Sequence, residues 1–216
     1  MEKIEFVAPM DIEKRSMQII GEELNRRGIH LDPEEDPVVR RAIHTSADFD
    51  YAENLVFSEQ AVSRLREALA AGADIVTDTE MARAGISKKT LEKFGGRVHC
   101  FMSDPDVAEE ARARGVTRAT VSMEKAARLP GRCLFAIGNA PTALIRLDEM
   151  IREGTLQPAG IIGVPVGFVN VVEAKELILK VSSVPYIVAR GRKGGSNIAA
   201  AVCNALLYGM PGVKRS

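Results

Sequence analysis

Residues 134–154 read LFAIGNAPTALIRLDEMIREG, and this stretch decides the fold class. It begins with a short apolar run, residues 134–137, which is typical of a buried parallel strand. A turn follows, and then a helix-period segment, residues 140–153, places its apolar side chains on one face before Gly154. This order makes half of a strand–helix–strand unit, in which the helix returns the chain to start a parallel neighbour.

The same pattern recurs from residue 73 to the end of the chain. Alternating strands and helices predict an α/β fold, with a mostly parallel sheet of five or six strands and helices on both faces in Rossmann-like layers. No repeat, low-complexity tract or linker divides the sequence, so a single domain over residues 1–216 is expected. The predicted strands are 75–77, 98–102, 134–137, 161–164 and 186–189, and the predicted helices include 12–27, 38–43, 58–69, 105–114, 140–153 and 171–181.

Capping residues predict where two of the helices begin. Ser58 is expected to cap the helix that runs through residue 69, and Asp104 the helix that has Pro105 at its first position. Gly115 lies just past the end of the second helix, where glycine is favoured.

The net charge is zero, because 29 acidic residues balance 29 basic ones. This balance argues against a chain held to nucleic acid or to a membrane by its net charge. The zero is a cancellation, since residues 1–60 carry a net charge of −7 and residues 156–216 a net charge of +5. The basic end is either uneven surface charge or a local site for an anionic ligand.

Three cysteines, Cys100, Cys133 and Cys203, are too few and too far apart for a disulfide framework or a Cys-x-x-Cys zinc site. No signal-peptide core is recognisable at the N-terminus, and no apolar run approaches the length of a membrane span. We therefore expect a soluble cytoplasmic protein without a metal site.

Ligands of parallel sheets bind beyond the carboxyl ends of the strands, where helix N-termini point free N–H groups outward. Asp78 follows one predicted strand and is either a polar contact to a ligand or a helix cap. The glycine-rich turn at 190–196 adds three cations just before a helix, which favours a carboxylate or phosphate. The spacing fits neither Gly-x-Gly-x-x-Gly nor the P-loop motif, and no aromatic residues accompany the cations as RNA binding would require.

Histidine is the side chain whose unperturbed pKa lies nearest to neutral pH, and the chain has three. His30 and His99 are expected to be structural. His44 ends a short helix and is followed by carboxylates, which makes it either a helix-capping residue or an acid/base group.

Five segments together resemble the precorrin-8 methylmutase family of cobalamin biosynthesis. They are residues 13–16 (EKRS), 39–44 (VRRAIH), 138–144 (GNAPTAL), 165–169 (PVGFV) with Glu173 and Lys175, and 190–196 (RGRKGGS). The resemblance implies a single α/β domain and an isomerase that moves the methyl group on C11 of a contracted tetrapyrrole to C12. It implies no cofactor, so missing nucleotide motifs are expected, and any cobalt is carried by the substrate.

The resemblance assigns the acid/base role to His44, which donates a proton to a ring nitrogen and later recovers it. It also implies that Ser16, Arg41 and Arg118 contact the substrate, whose carboxylate arms suit arginine. For each arginine an ordinary surface salt bridge is the alternative. The candidate substrate-binding residues are Ser16, Arg15, Arg41, Asp78, Arg118, Asn139, Arg190, Gly194 and Gly195.

Residues 43–50, 77–82 and 94–105 are more similar to the enzymes that act after cobalt insertion, so cobalt-precorrin-8 is the expected substrate. Asn170 stands where the family often has glycine. The resemblance also implies a homodimer with sites near the subunit contact. Two other functions remain open: a non-catalytic corrinoid carrier that retains the product, and a nucleotide-binding α/β protein.

Overall fold

The computed structural model describes residues 4–213, in which six strands form one sheet. In chain order the strands are β1 (Leu55–Phe57), β2 (Asp74–Thr77), β3 (Val98–His99), β4 (Cys133–Ile137), β5 (Gly160–Gly163) and β6 (Tyr186–Ala189). They lie side by side in the order β1-β6-β5-β4-β2-β3. β1 runs antiparallel to β6, and every other neighbouring pair is parallel.

Helices follow most strands, and they return the chain so that the next strand is parallel. The described α-helices are α1 (Ile12–Arg26), α2 (Asp36–Ser46), α3 (Tyr51–Asn54), α4 (Ala61–Ala70), α5 (Glu80–Gly85), α6 (Lys88–Glu92), α7 (Pro105–Arg114), α8 (Arg118–Ala126), α9 (Pro141–Arg152), α10 (Val171–Ile178) and α11 (Ser196–Tyr208). None of these helices is both long enough and apolar enough to cross a membrane.

The sheet separates two apolar clusters, one on each face. Alternate residues of β4 point into different clusters: Leu134 and Ala136 join α1, α2, α4 and α11, whereas Phe135 and Ile137 join α8, α9 and α10. All five residues of β4 are buried, as the continuous apolar run of a two-sided parallel strand predicts. The single-domain α/β fold with a mostly parallel sheet is thus confirmed, although residues 1–3 and 214–216 of the expected domain lie outside the described part.

Several local predictions differ from the structure. The antiparallel edge strand β1 was not predicted, and β3 ends at His99 rather than at residue 102. Ser58 does not cap α4, which begins at Ala61 after a left-handed Gln60. Instead, the Ser58 hydroxyl accepts a hydrogen bond from the Tyr186 backbone N–H at 2.9 Å, because Ser58 continues the pairing of β1 with β6.

Asp104 has the predicted cap position before α7, but its side chain makes no cap hydrogen bond. Its carboxylate accepts a hydrogen bond from Lys125 Nζ at 2.7 Å instead. A charged partner has therefore displaced the backbone N–H that an aspartate in this position often binds.

Candidate active site

A cavity of about 520 Å³ opens between α1, α2 and the chain segment that precedes α1. Most of its wall is apolar, and its polar side chains come from four residues. Its lining consists of Glu5, Val7, Ile12, Arg15, Ser16, Ile19, Ile20, Ile43, His44, Ala47 and Phe49. Such a wall, with a few converging polar groups, is typical of a small-molecule site.

Ser16 and His44 form the polar centre of this cavity. The Ser16 hydroxyl and His44 Nδ1 lie 2.7 Å apart, and both residues are half-buried. His44 is in the last turn of α2, where the helix dipole favours a positive charge. With Nδ1 held by Ser16, Nε2 is the nitrogen that can exchange a proton with a ligand.

A second link joins α1 and α2 one turn away. Arg41 Nη2 donates a hydrogen bond to the Glu13 carboxylate, so Glu13–Arg41 lies beside Ser16–His44 with the same spacing on both helices. Arg41 is 9% exposed, its guanidinium carbon lies 5.9 Å from the centroid of the Tyr208 ring, and its Nε is buried without a hydrogen-bond partner. The resemblance implied that Arg41 contacts the substrate; Arg41 is not among the residues that line the cavity, and its substrate contact stays a prediction.

Arg15 faces the cavity and is paired with Glu5. Arg15 Nε donates to Glu5 Oε1 at 2.8 Å, and this carboxylate raises the pKa of the Arg15 guanidinium. The pair lies at the cavity rim, where a ligand carboxylate can replace Glu5 on the arginine.

Asp78 lies beneath the turn that follows β4 and is fully buried. Its carboxylate accepts hydrogen bonds from the backbone N–H groups of Gly138, Asn139 and Ala140 at 2.8, 2.8 and 2.6 Å. Burial raises the pKa of Asp78, and the three N–H donors act in the opposite direction. In this structure the carboxylate of Asp78 is engaged by the turn, and its contact with a ligand stays a prediction. Both carboxylate oxygens bind backbone N–H groups of the turn. Asp78 is not a helix cap, because Thr79 caps α5.

Close packing of two turns explains the glycines at positions 194 and 195. A Cβ atom on Gly194 would lie 2.1 Å from the Val164 carbonyl oxygen, so only glycine lets the turns after β5 and β6 approach this closely. The Gly195 N–H donates to the same oxygen at 2.8 Å. Their contact with substrate stays a prediction.

Two lysines hold the turn after β6. The sequence analysis counted Lys193 among the cations for an anionic ligand, whereas the structure pairs it with carboxylates of the chain itself. Lys193 Nζ lies 2.6 Å from carboxylate oxygens of both Asp48 and Asp50, just after the His44 helix. Lys175, on α10, is fully buried and donates to the carbonyls of Gly191 and Lys193 at 2.7 and 2.8 Å. Burial lowers the pKa of Lys175 to about 8. Lys175 was noted in the sequence only as part of the family resemblance, and its buried anchoring role was not predicted.

The remaining candidates lie outside this cavity. Arg190 is paired with Glu176 at 3.4 Å on the surface beyond β6, and Arg118 begins α8 on the opposite face of the sheet from α1 and α2. Asn139 lies in the turn held by Asp78.

His99 Nε2 forms a hydrogen bond with an Asp74 carboxylate oxygen at 2.9 Å, so His99 has the structural role that was expected. Within residues 4–213, no group of three or more His, Cys, Asp or Glu side chains is placed to hold a metal ion.

The family model described as precorrin-8X methylmutase matches residues 11–209. The chain belongs to the precorrin-8X methylmutase family. This family member is 43% identical to the cobalt-precorrin-8 methylmutase of Priestia megaterium over 201 residues, which cover 93% of this chain and 88% of that protein. It is 43% identical to the cobalt-precorrin-8 methylmutase of Salmonella typhimurium, covering 93% and 95% of the two chains.

The fold agrees with that of a solved methylmutase. The crystal structure of the precorrin-8x methyl mutase from Thermus thermophilus superimposes with a TM-score of 0.80 at 40% identity, over 91% of this chain and 96% of that one. Membership makes the chain an enzyme of corrin biosynthesis with an isomerase role. The matched segment includes both Ser16 and His44.

Proposed function

We propose that the chain isomerises cobalt-precorrin-8 to cobyrinate, and that His44 is its general acid and base. The observation that carries the proposal is the Ser16–His44 hydrogen bond on the wall of a largely apolar cavity. In this reaction the C11–methyl bond breaks and a C12–methyl bond forms in the same molecule, so the formula is unchanged.

Protonation of a ring nitrogen by His44 Nε2 draws electron density from the conjugated system and lowers the barrier to methyl migration. After the methyl shift, His44 Nε2 recovers the proton from the ring nitrogen, which returns the enzyme to its starting state. General acid–base catalysis of this kind contributes roughly 10²- to 10⁴-fold. The Ser16 hydroxyl accepts a hydrogen bond from Nδ1–H of the imidazolium and so holds the ring in one orientation.

Arg15, which lines the cavity, would receive a carboxylate arm of the substrate. Arg15 already holds a carboxylate, that of Glu5, in the position a ligand would take. The chemistry assigned to His44 and the arginines calls for no cofactor, and the cobalt belongs to the substrate.

We propose cobalt-precorrin-8, rather than the metal-free form, as the substrate because of the names of similar proteins. The proteins of Priestia megaterium, Leptospira interrogans and Salmonella typhimurium, at 43–44% identity, are all named cobalt-precorrin-8 methylmutase. The protein of Pseudomonas aeruginosa, named precorrin-8X methylmutase, is 41% identical. Since these identities are close, the test must compare both substrates.

The proposal includes a homodimer in the cytoplasm, with Arg118 of one protomer completing the site of the other. It is supported by the position of Arg118, which lies across the sheet from Ser16 and His44. The three cysteines are unpaired and buried, which suits a reducing compartment. Mixing inactive His44→Ala with inactive Arg118→Ala chains should restore part of the activity, because some mixed dimers carry one intact site. No recovery would contradict the shared site.

A turnover assay tests the function itself. Enzyme at one-twentieth of the substrate concentration is mixed with cobalt-precorrin-8 or with its metal-free form, and the absorbance change is followed. We expect many product molecules per chain and faster conversion of the cobalt form. One product per chain or fewer would instead identify a carrier that retains the product.

A further inference from the structure

An exposed apolar loop lies beside the arginine-rich turn that follows β6. Phe168 is 82% exposed, Val169 76% and Val166 46%, all within the loop that joins β5 to α10. Single exposed apolar side chains are ordinary, whereas three within four residues form a contact surface. The α1–α2 cavity does not include them.

The backbone presents these side chains in a fixed conformation. The Gly167 N–H donates to the Arg192 carbonyl at 3.2 Å, which joins the loop to the turn after β6. Gly167 has φ 151°, and Asn170 is left-handed with φ 56°, a conformation that non-glycine residues adopt at an energetic cost. Phe168 lies between these two residues, and its side chain is exposed.

Phe168 is paired with a cation on one side only. The guanidinium carbon of Arg192 lies 5.5 Å from the centroid of the Phe168 ring, a cation–π distance. The ring is nevertheless mostly exposed, so aromatic surface remains open beside a positive charge. A flat conjugated ligand with a carboxylate arm matches both features, because the arm can bind Arg192 while the ring system packs on Phe168.

The same turn is anchored to the wall of the cavity. Lys193, next to Arg192, holds Asp48 and Asp50, and Phe49 between them lines the cavity beside His44. Beneath the turn, the buried Lys175 ammonium donates to two of its carbonyls. The apolar loop is therefore connected, through this turn, to the segment that lines the cavity beside His44.

We propose that Phe168 and Arg192 form a binding platform for one face and one carboxylate arm of the corrin macrocycle. This inference rests on the proposed function and adds a substrate-binding surface to it. The charge around the loop favours this occupant over a second copy of the chain. Arg192 brings a positive charge directly beside the exposed Phe168 ring, so the surface suits a carboxylated molecule better than a second copy of the same positively charged surface.

The test compares Phe168→Ala with Phe168→Tyr, and Arg192→Ala with Arg112→Ala, an exposed arginine on α7 that serves as the matched control. We expect Phe168→Ala and Arg192→Ala to raise KM about tenfold with kcat nearly unchanged, as the loss of one ring or one charged contact predicts. Phe168→Tyr and Arg112→Ala should keep the wild-type KM. A wild-type KM in Phe168→Ala would overturn the platform while leaving the proposed function intact.

A second measurement does not depend on turnover. The chain contains no tryptophan, so Phe168→Trp supplies a single fluorescent reporter. Binding of cobyrinate should protect this tryptophan from quenching by acrylamide, whereas unchanged access would contradict the proposal. If Phe168→Ala changes the sedimentation mass and not KM, the surface joins two copies of the chain and the platform is refuted. Protection without any wild-type turnover would keep the platform and reject the isomerase.

Discussion

The Ser16 hydroxyl lies 2.7 Å from His44 Nδ1, and this hydrogen bond joins the first turns of α1 to the last turn of α2. It fixes which imidazole nitrogen faces the cavity. Under the proposed function, Ser16 acts by holding the His44 ring, and His44 is the group that reacts.

Ser16→Ala removes this hydrogen bond but leaves the imidazole in place. A hydrogen bond of about 1 kcal/mol corresponds to about a fivefold change in rate, so kcat should fall about fivefold with KM unchanged. Steady-state kinetics measure this, with Ser63→Ala as the control, because Ser63 bonds only to the Gln60 carbonyl on the surface of α4. A rise in KM with normal kcat would show that Ser16 contacts the substrate instead.

Glu13→Ala leaves the buried Arg41 guanidinium without its carboxylate. Because Arg41 is nine-tenths buried but Glu13 is 44% exposed, the free energy of unfolding should fall by about 1–3 kcal/mol, between the values for exposed and buried pairs. Urea denaturation measures the change. Glu22→Ala, an exposed glutamate on the same helix, should cost less than about 1 kcal/mol. Equal effects of the two substitutions would contradict this account.

Asp78→Asn tests whether the turn after β4 depends on a carboxylate. The amide keeps one acceptor oxygen and directs an NH₂ group toward backbone N–H donors, so at least one hydrogen bond to a charged group is lost. We expect the free energy of unfolding to fall by roughly 2 kcal/mol or more in urea. Asp106→Asn, in an exposed pair with Lys125, is the control. A wild-type stability of Asp78→Asn would refute the anchoring role.

The lowered pKa of Lys175 predicts that the free energy of unfolding depends on pH. Its pKa is about 8 in the folded protein, whereas an unfolded lysine titrates near 10.4. Between these values the unfolded state binds more protons, so stability rises with pH by up to about 1.4 kcal/mol per pH unit. The Lys175→Met variant has no titrating ammonium at this position, so it lacks this contribution to the pH dependence of stability. The unfolding free energy of wild type relative to Lys175→Met, measured in urea from pH 7 to 10, should therefore increase above pH 8, and a constant difference would contradict the shifted pKa.

Periodicity predicted the sheet and its long helices because β4 and α9 carry continuous apolar patterns set by two-sided burial. It missed β1, since three residues directly after a short helix give no measurable period and pair only through the backbone of distant β6. The resemblance pointed to His44, Ser16, Arg41 and Arg118, and Arg15 was a further candidate. The structure places His44, Ser16 and Arg15 on one cavity, which neither Arg41 nor Arg118 lines. The roles of Asp78 and Lys175 were not predictable, because they depend on which backbone groups tertiary packing leaves in need of a partner.

The central claim is that His44 performs the proton transfers, and a single-turnover experiment with His44→Ala tests it most directly. Excess folded variant is mixed with cobalt-precorrin-8, and binding and conversion are followed separately by absorbance. We predict that the variant binds the macrocycle as the wild type does but converts it at least about 10²-fold more slowly. Conversion at the wild-type rate would contradict the assignment of His44 as the acid and base.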